Sequence, residues 1–163
     1  MNTKNFKKQV IVAAVDNNPG VVSRIAGLFT RRGYNIESLV TGVTEKPEVY
    51  RLVITLIASD EDARLLIRQL GRIMEVIEVY LASDRECVTR ELMFIRIACD
   101  GAARTEIIKT ADALKLEIAA VGSTSVVIQV TGDDVKLETA WNAVSGLGTN
   151  VECIRSGSVT IEL

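Results

Sequence analysis

Two asparagines, Asn17 and Asn35, and the glycine that ends Asn17-Asn18-Pro19-Gly20 carry the chemistry most readily drawn from this sequence. An amide side chain both donates and accepts, so it can serve the carboxylate and the ammonium group of a zwitterion. Gly20 stands where a helical apolar stripe begins. A helix start offers free N–H groups and the positive end of the helix dipole, which suits a carboxylate. The chemistry is therefore binding. A free amino acid could set its carboxylate over the N–H groups around Gly20 and Val21 and its side chain against Val22 or Ile36. Asn35 lies beyond the far end of that helix, about 18 Å away at 1.5 Å per residue. One protomer does not easily bring Asn17 and Asn35 to one ligand; a dimer with two such strands edge to edge could.

Catalytic residue types are sparse. The chain has no histidine, which removes the commonest general base and a favoured metal ligand. No serine or cysteine has a recognisable base partner. Gly146-Leu147-Gly148-Thr149 lacks the third glycine of a dinucleotide loop, and no GxxxxGK[ST] motif occurs. Asp60-Glu61-Asp62 is explained as charge at a helix start. Cys87, Cys99 and Cys153 form no CxxC pair and leave one thiol over under any pairing, which suits reduced thiols rather than a disulfide frame or a zinc site. No catalytic or metal-binding residue is expected.

The elements that must position the loop read as follows. Met1 to Lys8 is polar and expected to fray. Val10 to Val15 is a strand too uniformly apolar for an exposed edge. Asp16 to Gly20 is a run of turn formers, Pro19 suits the first helical turn, and one of the preceding asparagines can cap it. Val22, Ile25, Ala26 and Phe29 share a helix face flanked by Val21 and Leu28, while Arg24, Gly27 and Arg31 point away. Gly33 stops the helix. A strand from about Ile36 to Val43, a polar turn at Thr44 to Glu48, and a strand from Val49 to Ala58 follow. In that last strand Tyr50, Leu52, Ile54 and Leu56 oppose Arg51 and Thr55. Ser59 and the acidic residues after it open a second helix with Ala63, Leu66, Ile67, Leu70 and Ile73 inward, and Val76 to Leu81 is the next strand. The order is β-α-β-β-α-β, a ferredoxin-like unit.

Ala82 to Thr89 breaks the rhythm as a linker, and the order then recurs. Leu92 to Cys99 is a strand with Met93, Ile95, Ile97 and Cys99 on one side. Gly101 introduces a helix carrying Ile107, Ile108, Ala111 and Leu114. Leu116 to Val121 and Ser125 to Thr131 form a hairpin. Asp133 starts a helix with Leu137, Ala140, Trp141 and Val144 inward. Val151 to Ile154 closes the unit, and Ser158 to Leu163 is an alternating tail. The sequence thus predicts an α+β protein of two tandem ferredoxin-like domains, residues 1–82 and 83–163. The Asn-x-x-Gly loop occurs only in the first; its counterpart is Cys99-Asp100-Gly101-Ala102.

Hydrophobic residues make up 48% of the chain, charged residues 25% and aromatics only 4%, so the cores must be aliphatic. Net charge is −2 and the pI about 5.3, against a phosphate-tracking surface; Lys7-Lys8 and Arg31-Arg32 are isolated pairs. No apolar run approaches the ~20 residues that cross a bilayer. A cytoplasmic protein that binds neither nucleic acid nor membrane is expected.

Three blocks carry a family resemblance. They are Asn17-x-x-Gly20 with Arg24, Gly27-Leu28-Phe29 and Arg32-Gly33-Tyr34-Asn35-Ile36-Glu37-Ser38-Leu39; Val88 to Ile97; and Arg155-Ser156-Gly157. Together the chain resembles the small, regulatory subunit of acetolactate synthase (acetohydroxyacid synthase), whose N-terminal half is an ACT domain. The resemblance implies a homodimer without its own active site. It implies activation of a large, thiamine-diphosphate-dependent catalytic subunit and feedback inhibition by valine or a related branched-chain amino acid. Thiamine diphosphate, Mg²⁺ and FAD would belong to that partner, with no cofactor in this chain. A free-standing ACT-type amino-acid sensor serving another enzyme is the alternative, and a small carboxylate-based enzyme a third.

Overall fold

The computed structural model describes residues 5–163, so part of the polar N-terminal stretch lies outside the described residues. Two compact units result: the residues up to Val88 together with Gly157–Leu163, and Thr89–Ser156. A division at 82/83 assigns the C-terminal tail to the second domain, whereas by compactness it belongs with the first unit.

In the first unit the elements are β1 (Lys7–Asp16), α1 (Val21–Arg31), β2 (Ile36–Val43), β3 (Val49–Ala58), α2 (Asp60–Leu70) and β4 (Val76–Leu81). The antiparallel sheet runs β2-β3-β1-β4. Ile11, Ala13 and Val15 of β1 and Leu52, Ile54 and Leu56 of β3 face the helices. There they meet Val21, Ile25 and Phe29 of α1 and Ala63, Leu66 and Leu70 of α2. Each fully buried Leu, Ile or Phe contributes about 1.5–3 kcal/mol relative to exposure. Pairing begins at Lys7↔Ala58, so strand replaces the fraying expected of Lys7 and Lys8. Ser59 caps α2, its Oγ accepting from Asp62 N at 3.2 Å. That helix stops at Leu70, so Ile73 reaches the core from the following turn rather than from the helix.

The helix-free face of this sheet is also covered. Register places Val40, Val53, Val12 and Tyr80 in one row across the four strands, and the last three are 3%, 0% and 6% exposed. Thr55, on the face opposite Leu52, Ile54 and Leu56, is 2% exposed. The tail supplies part of the cover. Gly157 has φ +82°, and a Cβ there would stand 2.6 Å from Val40 Cγ2, so only glycine fits the approach. Glu162 is held by Arg85 at 2.6 Å, and Leu163 N donates to Glu86 O at 3.0 Å.

A short 3₁₀ turn at Ala82–Asp84 leads into β5 (Cys87–Ala98), which starts five residues before the expected Leu92 and takes in the end of the supposed linker, Cys87 to Thr89. Then come α3 (Gly101–Ala113), β6 (Glu117–Val121), β7 (Ser125–Gly132), α4 (Asp134–Val144), β8 (Thr149–Arg155) and β9 (Val159–Glu162). The second sheet runs β6-β7-β5-β8, the same order as the first, and β9 pairs with β5. Met93, Ile95, Ile107, Ala111, Ile128, Leu137, Ala140 and Val144 form its core, with Trp141 and Cys99 packed against it. Leu114, expected inward, sits just past α3 and is 38% exposed. Arg155 makes a two-pronged pair with Glu91, at 3.1 and 2.6 Å, and donates to Asp134 at 2.9 Å. Ser156 N donates to Leu92 O at 2.9 Å, and its hydroxyl accepts from Leu92 N at 3.1 Å. The Arg155-Ser156-Gly157 motif therefore ties strands together. Among the described residues no helix is long and apolar enough to cross a membrane.

Candidate functional site

The Asp16–Gly20 loop leaves the end of β1 and is pinned from two sides. Asp16 N donates to Glu75 O and Asn17 N to Glu48 O, both at 2.8 Å. Asn17 Nδ2 donates to Pro47 O at 3.1 Å. One N–H of the Asn17 amide is thus a strut to the β2–β3 turn, and its other N–H and its carbonyl remain for a ligand. Asn18 N donates to Asp16 O at 2.8 Å, and Val21 N to Asn18 O at 3.3 Å.

No asparagine caps α1. The N-cap is Gly20, at φ +86° in the left-handed region, with no side-chain cap bond. The cause is steric and local: the left-handed turn at position 20 admits glycine readily, and it carries the asparagines past the capping position. The first-turn N–H groups beyond Val21, those of Val22 and Ser23, consequently have no side-chain acceptor. Gly20 is exposed and a Cβ on it would meet nothing within 4 Å, so the ground above the helix start is open. Val21 is 2% exposed and belongs to the core, so it offers backbone only. Val22 is half-buried against the same core.

Charge near the loop comes from Arg24 and Glu75. Arg24, one turn into α1, donates to Glu75 Oε1. That hydrogen bond holds the Glu75 carboxyl below the usual carboxylate range. Glu75 Oε2 is buried with no hydrogen-bond partner. Arg24 falls in the Asn-x-x-Gly pattern, which was the available signal; Glu75 sits in a turn with no motif and had none.

Asn35 and Ile36 lie at the other end of the first unit. Gly33 has φ +73° and closes α1 with bonds from Gly33 N to Thr30 O at 3.1 Å and Tyr34 N to Phe29 O at 3.0 Å, as a helix-ending glycine should. Asn35 follows, exposed, and Ile36 is half-buried against the core. Ile36 pairs with Leu56, which pairs with Gln9. Asn17 lies beyond Asp16, so at about 3.3 Å per residue the two asparagines are more than 20 Å apart along the sheet. Asn17, Gly20, Val21 and Val22 are brought together; Asn35 and Ile36 are not brought to them within one chain. The arrangement can take a carboxylate at Gly20 and hydrogen-bond a zwitterion through Asn17. Among the described residues no three His, Cys, Asp or Glu groups cluster as metal ligands.

Comparison with known proteins matches the chain in two stretches. Residues 11–78 match the AHAS small subunit-like ACT domain, and residues 90–163 match the small subunit of acetolactate synthase. The probable acetolactate synthase small subunit of Archaeoglobus fulgidus is 36% identical over 154 residues, covering 94% of this chain and 96% of that one. The acetolactate synthase small subunit of Mycobacterium bovis is 32% identical over 95% of this chain and 92% of its own. The crystal structure of the acetolactate synthase small subunit from Thermotoga maritima superposes with a TM-score of 0.80 at 28% identity, covering 96% of this chain and 98% of that one. The chain belongs to the family of acetolactate synthase small subunits, with that family's ACT domain as its first half.

Proposed function

We propose that this regulatory subunit binds the large catalytic subunit of acetolactate synthase in the cytoplasm, raises its activity, and passes on feedback inhibition by valine or a related branched-chain amino acid. The observation that carries the reading is that both halves match that family's small subunit, end to end with its relatives. The match of residues 90–163 disfavours a free-standing ACT sensor, which would have no need of this second half. Thiamine diphosphate, Mg²⁺ and FAD are assigned to the partner, where two pyruvates, or pyruvate and 2-oxobutyrate, are joined.

The effector sits at the open start of α1. Its carboxylate takes the N–H groups around Gly20 and Val21, Asn17 contacts its charged head, and its hydrocarbon lies against Val22 or against the Ile36 of a second protomer. Asn35 reaches it from the other protomer of a homodimer, in which β2 edges meet and cover their unpaired backbone groups. The effector need only prefer one quaternary state: a coupling of about 1–3 kcal/mol changes partner behaviour roughly 5–150-fold.

The test is co-purification with the large subunit followed by assay with thiamine diphosphate and Mg²⁺. The purified chain alone should turn over no pyruvate, its addition should raise turnover by the large subunit, and valine should reverse the gain. Pyruvate turnover by the rigorously purified chain, or no effect on the large subunit, would reject the proposal.

A further inference from the structure

A groove of about 340 Å³ lies on the helix-free face of the first sheet, beside the returning C-terminal strand. Val40 and Gly42 of β2 and Arg51 and Val53 of β3 form its floor, set side by side by the pairs Val40↔Val53 and Gly42↔Arg51. Val43, Thr44 and Glu45 close one end, and Val159, Thr160 and Ile161 of β9 make the wall. The volume falls at the lower end of the range for small-molecule sites, about 300–1,000 Å³.

Two features of the lining point to a ligand. Arg51 is the only half-buried arginine, among the described residues, whose side chain has neither an ion pair nor a hydrogen bond. The other half-buried ones are engaged: Arg85 by Glu78 and Glu162, and Arg104 by Ser123 O. A guanidinium drawn partly out of water gains most from an anion that takes its fork in two prongs. The second feature is that β9 is inside out. Thr160, and Ser158 just before the strand, are buried at 1% and 3% exposed, while Val159 and Ile161 stand at 62% and 63%. Val43, at the groove's end, is 78% exposed. Apolar surface standing in water beside an unpaired cation is what a carboxylate with a hydrocarbon body would cover.

We propose that this groove binds a small carboxylate with an apolar body, its carboxylate on Arg51 and its hydrocarbon against Val40, Val53, Val159 and Ile161. Glu45 on the rim is exposed and could accept from an ammonium group. A plain acid and an amino acid are thus two sources of the same chemistry. The site is separate from the Gly20 loop and does not depend on that loop's role.

The full chain is titrated calorimetrically with 3-methylbutanoate and, separately, with valine, as wild type, Arg51→Met, Ile161→Ser and Gly20→Asp. Arg51→Met keeps the aliphatic stem, and Ile161 is exposed, so both variants should fold. 3-Methylbutanoate should bind wild type and Gly20→Asp alike and bind Arg51→Met at least about tenfold more weakly, with Ile161→Ser between. Valine binding to Gly20→Asp marks the ligand as an amino acid; its absence there, with 3-methylbutanoate still bound, marks it as a plain acid. No 3-methylbutanoate binding to wild type up to about 10 mM, equal binding to Arg51→Met, or binding lost in Gly20→Asp would overturn the proposal. None of those results bears on activation of the large subunit.

Discussion

The two units share a strand order but start their first helices differently. In the second, Asp100 is the N-cap, and its carboxylate accepts from Ala103 N at 2.9 Å. In the first, Gly20 occupies the same position and provides no side chain. At their other ends the two helices agree. Gly33 and Lys115 both have positive φ and both make the same pair of closing bonds, although lysine adopts that conformation at a cost. The helix end is thus dictated by the topology, and the helix start is not. A carboxylate at the helix start is supplied by the chain in the second unit; on the proposed reading it comes from outside in the first.

The largest change should come from the second unit, where charge closes the fold. Arg155→Ala leaves Glu91, 7% exposed, without its two-pronged partner. Urea denaturation should show a loss of about 2–4 kcal/mol. Effector affinity of the folded protein should not move. If it did, the two units would not divide binding from closure as argued.

Next is Asn35→Ala, which should weaken effector binding by about 1–3 kcal/mol, the cost of a hydrogen bond to a charged group. Its proposed position across a dimer interface is checked by mixing subunits. A dimer of one Gly20→Asp chain and one Asn35→Ala chain collects both lesions in one composite site and leaves the other intact. No effector binding in a verified mixed dimer would reject the shared site.

Asp100→Ala removes the self-supplied cap of the second unit and should cost about 1 kcal/mol of stability, with the effector response unchanged. A changed response would mean that both helix starts take part.

The smallest effect concerns Glu75, whose carboxyl is held low by the Arg24 hydrogen bond. With the folded pKa below the unfolded one, near 4.3–4.5, this stabilisation is complete above that value and is lost as pH falls through the folded pKa. The stability difference between wild type and Arg24→Gln should therefore shrink on acidification, read by denaturation at neutral pH and below pH 4. A difference independent of pH would dissociate the pair from stability.

Most of the fold was legible where periodicity and punctuation agree. Gly33 marked a helix end, Ser59 a cap, and the unbroken apolar run Val10 to Val15 a strand that is not an exposed edge. What failed did so for identifiable reasons. Ser158 to Leu163 alternates like a strand, but alternation does not say which side is inward, and here the polar side is. The burial of Thr55 was not legible because cover on its face arrives from a segment about a hundred residues away. The asparagines before Gly20 look like caps by type, yet a left-handed glycine between them and the helix takes the position. Arg24 with Glu75 joins a helix to a distant turn, a contact that local pattern does not contain.

The central claim is that the open start of α1 receives the effector carboxylate. It is tested by calorimetric titration of valine into three chains, each carrying Arg51→Met so that the groove is silent: Gly20 itself, Gly20→Ala and Gly20→Asp. Gly20→Ala controls for backbone strain, since a Cβ there meets nothing within 4 Å. Valine should bind the first two, with alanine costing about 1–2 kcal/mol at most, and binding to Gly20→Asp should be lost because the added carboxylate repels that of the ligand at the helix start. Unchanged valine affinity in Gly20→Asp would contradict the claim.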